Sequence, residues 1–413
     1  MVAALRQAAA KQADTTANAS NADSYFQVDE PVVPSSGTCP HCPADATTTT
    51  CCPECRERFW FRADYLLWWT KGSHLPPLVT TSPPGTPRQD AGVLGEPGTT
   101  ILFGDEYVNT GSRSGQRLVA GVWLDSCARV GLAFDYFDLA AESTRFSASG
   151  DGSPILARPF YNVQTAAPSA QLMSFPGLIS GSVQAHSRDY FQSTGAWLRC
   201  NLADSQWCPC DVRGYRVDLI AGYRYYRLSD ALSIDEDLTA TDPIFTGTTY
   251  DLRDWFQAEN EFNGAELGCK TEWYRGRWSL GVLAKMAVGN NRQVVTIDGR
   301  TVTTLPGLLP VTEPGALLTA ETNIGRYTRD QFTVIPQLGF ELGFRLCDHA
   351  RLLAGYDLIY WPHVLRAADQ IDLAVDPRNI PPAQPGGTIF PAARLCSNDF
   401  WAQGLNLGLE VCY

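Results

Sequence analysis

No run in this sequence approaches the ~18 apolar residues of a membrane-spanning helix, so any passage through a bilayer must be made by strands. Charge is also scarce: 18% of the 413 residues are Asp, Glu, Lys or Arg, against about a quarter in ordinary soluble domains. The balance is acidic, at -12, and lacks the clustered Lys and Arg that phosphate backbones demand, which excludes nucleic acid as a partner. Histidine is limited to five residues, and no Walker, Rossmann or HExxH pattern occurs. His74 and His363 are placed for an outer rim, but neither stands at a recognisable spacing from a nucleophile, so no enzyme and no catalytic residue is expected. The segment Met1–Arg6 lacks the ~7–15-residue apolar core of a secretion signal, so a signal removed or missed upstream is expected.

Aromatics are abundant at 11%, with 11 Trp, alongside 35 Gly and 27 Pro, a mixture that favours strands, turns and irregular loops. The last stretch shows the pattern most clearly. Leu405, Leu407, Leu409, Val411 and Tyr413 alternate with Asn406, Gly408, Glu410 and Cys412. A period of two is a strand with one apolar face. A strand of this kind ending on an aromatic residue suits the closing strand of an outer-membrane barrel.

The same alternation recurs along the chain. Phe61, Ala63, Tyr65, Leu67 and Trp69 form one face of a strand over 59–69, with Arg62 and Asp64 on the other. Further strands are read at 116–125, 128–139, 187–199 (weaker), 212–226, 255–273, 277–288, 331–346 and 350–361. With the closing strand this makes ten. Long connections, near 70–115, 140–186, 227–254, 289–330 and 362–399, alternate strictly with short turns. Membrane barrels segregate their connections in this way, with periplasmic turns short and extracellular loops long. The expected fold is therefore all-β: a transmembrane antiparallel up-and-down barrel over 59–413. Val294–Ile297 and Leu232–Leu238 are further strand candidates that extend hairpins or raise the count to twelve. The rival reading is a secreted or periplasmic soluble β-rich protein, for binding or surface structure, whose apolar faces form a sandwich core.

Charges on the inward parity are Arg62, Arg117, Arg216, Arg224, Lys270, Lys285 and Arg345, against Asp64, Asp135, Asp218, Glu266, Glu272, Glu341, Asp357 and Glu410. Such a face is too charged for an apolar core, because unpaired buried charge is costly. It suits a barrel lumen, either as a plug of ion pairs or as a narrow path for small solutes. Trp60, Trp68, Trp69, Trp273, Trp278, Tyr360, Trp361, Trp401 and Tyr413 gather near strand ends and read as interfacial girdles.

Residues 1–58 read as a disordered, Cys-rich periplasmic segment. Cys39, Cys42, Cys51, Cys52 and Cys55 leave three readings open: structural disulfides, a zinc knuckle, or a redox dithiol. Zinc at this cluster is the one cofactor considered. Cys127, Cys200, Cys208, Cys210 and Cys347 sit in or beside the short turns and Cys412 at the chain end, so a disulfide-linked plate at the periplasmic end is expected. Cys269 lies in the lower part of its strand, and Cys396 is the outlier.

Several motifs occur in order: Phe59-Trp60-Phe61-Arg62-Ala63-Asp64-Tyr65-Leu66-Leu67-Trp68-Trp69, Leu75-Pro76-Pro77-Leu78, Gly92-Val93-Leu94-Gly95, Thr100-Ile101-Leu102-Phe103-Gly104, Gly115-Gln116-Arg117-Leu118, Ala221-Gly222-Tyr223-Arg224-Tyr225, Gly355-Tyr356-Asp357-Leu358-Ile359-Tyr360 and Asp369-Gln370-Ile371-Asp372. Together they resemble the planctomycete outer-membrane beta-barrel porin family, the seventh such family, over 59–413. The resemblance implies a barrel in the bacterial outer membrane and assigns no catalytic or ligand residue. The chain departs from it in the Cys-rich leader and at Arg366-Ala367-Ala368, where relatives tend to show Arg-Pro-Gly. Partners implied by this reading are the lipid bilayer, a surface-layer or envelope protein at the outer loops, and further copies of the chain.

Overall fold

The computed structural model describes residues 58–126, 128–205 and 213–413. Ten long strands dominate: Phe59–Thr70 (β1), Ser112–Trp123 (β2), Val130–Gly150 (β3), Ile179–Asp204 (β4), Arg213–Ala240 (β5), Thr249–Arg275 (β6), Trp278–Thr304 (β7), Gly325–Cys347 (β8), Ala350–Leu365 (β9) and Ser397–Cys412 (β10). Each pairs antiparallel with its neighbours in sequence, and β1 pairs with β10 from Trp60↔Cys412 to Thr70↔Ala402. The ring is therefore closed and has no free edge, the condition a lipid-embedded sheet must meet. At the seam Phe59 N donates to Tyr413 O at 2.7 Å and Tyr413 N returns to Phe59 O at 2.8 Å. The expected ten-stranded up-and-down barrel is the observed one, and the closing strand closes it.

Short turns join β6 to β7 and β8 to β9. In the first, Arg275 and Trp278 pair across two residues, and Gly276 takes φ 61°. A positive φ at the first turn position matches the twist of the flanking strands and favours glycine there.

Below a level marked by Tyr225, the outer face is apolar. On β5 the outward residues Tyr215, Val217, Leu219, Ala221, Tyr223 and Tyr225 alternate with Arg216, Asp218 and Arg224 pointing inward. Ten residues of tilted strand rise roughly 25 Å, the height of a lipid-facing band. Leu267, Leu280, Phe340, Leu342, Leu407 and Leu409 belong to the same exposed belt. Residues of this kind standing outside a closed ring cannot be a sandwich core, so the soluble alternative does not hold.

Above Tyr225 odd positions still face outward and even ones inward, but the apolar and polar faces exchange without interrupting the strand. The outward positions are now Arg227, Ser229, Ser233, Asp235 and Asp237, while Tyr226, Leu228, Leu232, Ile234 and Leu238 are buried inside. The barrel thus continues beyond the lipid as a water-facing sheet with an apolar interior. This corrects the expected loops: most of 140–186, 227–254 and 289–330 is strand, and Leu232–Leu238 and Val294–Ile297 extend β5 and β7 without raising the count to twelve. The pattern changes phase where the outer solvent changes from lipid to water, and a phase change looks like the end of a strand.

The remaining long connections fold over and into this upper part. Val79–Ser82, Thr100–Phe103, Ile155–Asn162, Ala167–Ser174 and Ala374–Val375 make a five-stranded cap sheet. Leu78, Val79, Leu156, Leu317, Leu318 and Ile371 from the loops pack against Leu232, Ile234, Phe256, Val295 and Ile297 of the wall in one apolar core.

Residues 1–57, Cys127, Cys208 and Cys210 lie outside the described residues, and with them the Cys39, Cys42, Cys51, Cys52 and Cys55 cluster. Cys200 is half-buried on β4, Cys347 exposed at the foot of β8 and Cys396 exposed before β10, each as a thiol without a disulfide. Cys412 is half-buried at the end of β10, its Sγ 3.9 Å from Glu410 Oε1. Among the described residues no group of three or more His, Cys, Asp or Glu is arranged to hold a metal ion.

Candidate functional site

The lumen has three storeys, and the lowest is the charged one anticipated from parity. Its fifteen expected residues all point inward, and the structure joins most of them into chains of ion pairs. Arg62 Nε lies 2.8 Å from Asp64 Oδ1, and its Nη1 also contacts Glu341. Arg117 Nη2 meets Asp357 Oδ2 at 2.7 Å while its guanidinium lies over the Trp68 ring. Arg224 is the centre of a second group, with Nη1 2.6 Å from Asp135 and Nε 2.8 Å from Glu266. Lys285 reaches Glu266 at 3.1 Å, and Lys270 stands 3.4 Å from both Glu272 and Glu341. Arg216 Nε meets Asp218 at 2.8 Å near the turns. Arg345 is half-buried at the foot of β8, in register with Arg351.

Two cations were missed. Arg199 joins Asp218, with Nε to Oδ2 2.6 Å, and also approaches Glu272 at 3.4 Å. Arg351 bridges Glu410 at 2.7 Å and Glu272 at 3.1 Å. Both lie within the strands read from sequence, over 187–199 and 350–361, and carry their inward parity, so alternation marks them and they were passed over at the strand ends. Small residues make room for the network: a Cβ on Gly195 would stand 2.7 Å from the Arg224 guanidinium carbon. Between these groups lies a cavity of about 110 Å³, bounded by Arg62, Arg117, Lys270, Lys285, Glu341 and Asp357 and by the Trp60 and Trp197 rings. Its polar walls and size suit a few waters.

The middle storey is an aromatic septum. Leu66, Trp68, Phe137, Phe191, Tyr226, Phe262, Ala287, Ile335, Trp361 and Phe400 belong to one buried cluster to which nine of the ten strands contribute. Ring centroids of Phe191 lie 5.0 Å from Phe400 and 6.0 Å from Tyr226, and Trp361 stands 5.9 Å from Tyr226. Such stacked, tilted and edge contacts fill the cross-section. Trp68 and Trp361 are 0% exposed and Trp60 8%, which removes these three from the expected interfacial girdles. Trp60 and Trp68 share the even parity of Arg62 and Asp64, and Trp361 the odd parity of Asp357, so all three face the lumen. Trp273, Trp278 and Tyr413 are exposed on the outside, as girdle residues should be.

Above the septum a polar latch holds the β9–β10 connection inside the barrel. Arg366 Nε donates to Asp230 Oδ2 at 2.7 Å, Nη2 to Asp189 Oδ2 at 3.1 Å and Nη1 to the Lys71 carbonyl at 3.0 Å. Arg113 meets Asp189 from the opposite side and Glu142 at 3.0 Å. Asn260 clasps the Leu365 backbone twice, donating to O and accepting from N, each at 2.8 Å. Arg366-Ala367-Ala368, read from sequence only as a departure in a turn, is thus the segment that enters the lumen. None of Arg113, Asp189, Asp230 or Arg366 was anticipated. Asp189 lies at the start of the weaker strand read over 187–199, on its inward parity, and Asp230 in the stretch read as loop over 227–254.

His74 and His363 are not brought into a catalytic arrangement. His74 Nε2 lies 4.0 Å from Asp105 on an exposed ribbon, and His363 contributes its carbonyl to the Asn291 and Gln293 amides.

The chain resembles several solved outer-membrane barrels at low identity. The chain spans nearly all of the Escherichia coli outer membrane protease OmpT, at 8% identity over 89% of this chain and 99% of that one, with TM-score 0.37. A Pseudomonas aeruginosa FadL homologue gives 9% identity over 86% and 90% of the two chains, with TM-score 0.23. The anion-selective porin from Comamonas acidovorans gives 8% over 86% and 98%, with TM-score 0.15. At these scores no functional inference passes from any of the three. No curated protein matches the sequence. The model of the family described as "Putative beta barrel porin-7" matches residues 60–413, from the first strand to the last. This protein is a bacterial outer-membrane β-barrel, and it belongs to the beta barrel porin-7 family.

Proposed function

We propose that the protein is a closed barrel with a structural and surface-displaying role in the outer membrane, without enzymatic activity. The observation that carries this is the septum, where large apolar side chains from nearly every strand meet across the lumen with Trp68, Phe191, Phe262 and Phe400 fully buried. Ions do not cross a dry aromatic layer without a large desolvation cost. Outside the lipid, the β5–β6 and β7–β8 connections raise Ile244, Phe245, Leu308 and Leu309 into solvent. An apolar tip carried well clear of the bilayer suits an envelope or surface-layer protein as partner.

A second reading, a gated narrow porin for small solutes, is favoured by one feature. The segment above the septum is a loop latched by side chains, with a charged cavity below it. Planar-bilayer recording separates the two. The closed reading expects no unitary conductance from the purified full-length protein across a range of voltages and salts. Discrete, reproducible opening steps would establish the porin instead.

A further inference from the structure

We propose that the chamber in the lower storey holds one small monovalent anion, of halide size, seated between the Lys270 and Lys285 ammonium groups. The inference is independent of whether the lumen conducts, because the site needs access only from the side of the short turns.

On the inner face of β6 and β7, Lys285 stands directly opposite Gly268 and Lys270 directly opposite Leu283. The two lysines are therefore diagonal neighbours, roughly 7–8 Å apart at their backbones. Gly268 leaves room for the first of them: a Cβ there would stand 2.8 Å from Lys285 Cγ. The Lys285 ammonium group ends 5.4 Å from the centre of the Trp197 ring, and both lysines border the same cavity of about 110 Å³. Side-chain exposure rises toward the short turns, from 8% at Lys285 through 16% at Lys270 to 20% at Arg351. Water and small ions thus reach the chamber from that end.

The carboxylates on the chamber wall already have close partners. Asp135 holds Arg224 at 2.6 Å and the Trp197 indole N–H at 2.9 Å. Asp357 holds Arg117 and the Asn406 amide, each at 2.7 Å, and Glu410 holds Arg351 at 2.7 Å. The lysines are left with shared acceptors. Glu266, 3.1 Å from Lys285, also takes two hydrogen bonds from Arg224, at 2.8 and 2.9 Å. Lys270 lies 3.4 Å from both Glu272 and Glu341, which pair with Arg351 and Arg62 respectively. Each ammonium group has three N–H donors, so donors remain for a ligand in the chamber.

Two like charges side by side on one sheet face repel each other, and walls of low dielectric strengthen that repulsion. Water solvates the ammonium groups but leaves the repulsion in place. An anion between them removes it, and the surrounding cations focus positive potential into the cleft. The carboxylates Glu341, Asp357, Asp135 and Glu410 on the same wall set the valence, since a second negative charge on the guest would face them. The volume admits a halide with part of its water shell and excludes larger organic acids.

The test uses the full-length protein in detergent, with sodium bromide replacing sodium gluconate at constant ionic strength. The temperature at which folded gel mobility is lost should rise and saturate with bromide, since a ligand of the native state stabilises it. In K270Q/K285Q the apparent bromide affinity should fall at least tenfold. This variant should keep the heat-modifiable mobility of the barrel, because Glu266, Glu272 and Glu341 each retain an arginine. The single variant K285Q, which removes the more buried ammonium group, should lose most of the effect. Crystals grown in bromide should show an anomalous peak in the chamber between the two lysines. Equal saturable stabilisation of wild type and a folded K270Q/K285Q barrel would overturn the site, as would a chamber without a bromide peak. A peak without saturable stabilisation in solution would mean an adventitious ion only. Stabilisation by sulfate equal to that by bromide would overturn the monovalent guest.

Discussion

Arg366 Nε lies 2.7 Å from Asp230 Oδ2, joining the loop between β9 and β10 to the middle of β5 across the interior of the barrel. Both side chains are almost fully buried, as is Asp189, which shares the guanidinium. A buried pair of this kind is expensive to break from one side, because the remaining charge is left without partner or water. The plug is therefore held in place electrostatically, in addition to the backbone hydrogen bonds it makes with Asn260, Asn291 and Gln293 of the wall.

Replacing that arginine, R366A, leaves Asp230 without its cation in the interior and Asp189 with Arg113 alone. The expected cost is about 3–5 kcal/mol, most of it in the seating of the 366–376 segment. Limited proteolysis of the outer loops should accelerate in the variant while the heat-modifiable mobility of the barrel persists. An unchanged proteolysis rate would show that the latch does not hold the plug.

Trp361 offers a test of the septum. Its ring is 0% exposed and contacts Phe191, Tyr226 and Phe262. W361A should destabilise by about 3–5 kcal/mol and leave a void in the aromatic layer. Small-solute leak into liposomes is expected to rise in this variant above that of the wild type. No rise would place the permeability barrier higher, in the cap.

In the lower storey Arg224 neutralises Asp135 and Glu266 together. R224M retains the length of the side chain but strands both carboxylates, with only Lys285 left beside Glu266. A loss of about 3–5 kcal/mol is expected, read as a lower temperature for the shift between folded and unfolded gel mobility. The double variant R224M/E266Q should recover part of it, since the stranded charge is removed along with its partner.

Two loop carboxyls respond oppositely to pH. Burial pushes the Asp376 carboxyl up, but the backbone N–H groups of Arg378 and Thr388 together with the Gln164 amide outweigh this and hold it below the usual carboxylate range. Its contribution to stability is present above the ordinary carboxylate pKa and is lost as pH falls through the lowered value. Burial keeps the Asp369 carboxyl above the usual range, against a hydrogen bond from Asn398. Its contribution is fully present below the ordinary value and is lost as pH rises through the raised one. Hydrogen exchange should thus show 376–388 loosening only in strong acid, and D376N should loosen it already at neutral pH. Protection of that segment in D376N equal to wild type at neutral pH would remove the carboxylate from its role.

Parity alone carried much of this molecule. Leu405, Leu407 and Leu409 against Asn406 and Glu410 are enough to separate a lipid face from a lumen face, because side chains in a strand must alternate. The same rule found Arg62, Asp64, Arg224, Glu266 and the other lumen charges residue by residue, and the spacing of turns supplied ten strands. The girdle reading set that rule aside: Trp68 shares the parity of Arg62 and Asp64 and faces the lumen, Trp273 faces lipid, and the two were grouped only because both stand near a strand end.

The sequence by itself determined the strands, their count below the membrane surface and the inward charges, since each follows from local alternation and turn chemistry. Tertiary structure decided the rest. Tyr225 and Tyr226 are adjacent in one strand, yet one ends the lipid belt and the other begins the buried septum. Local sequence shows only that the apolar parity slips there, and a slip reads equally as a loop. That the strand runs on depends on pairing with β4 and β6, and that its apolar side turns inward depends on water replacing lipid outside. The latch follows the same logic: Arg366, Asp230 and Asp189 are far apart along the chain, and only closure of the ring brings them together.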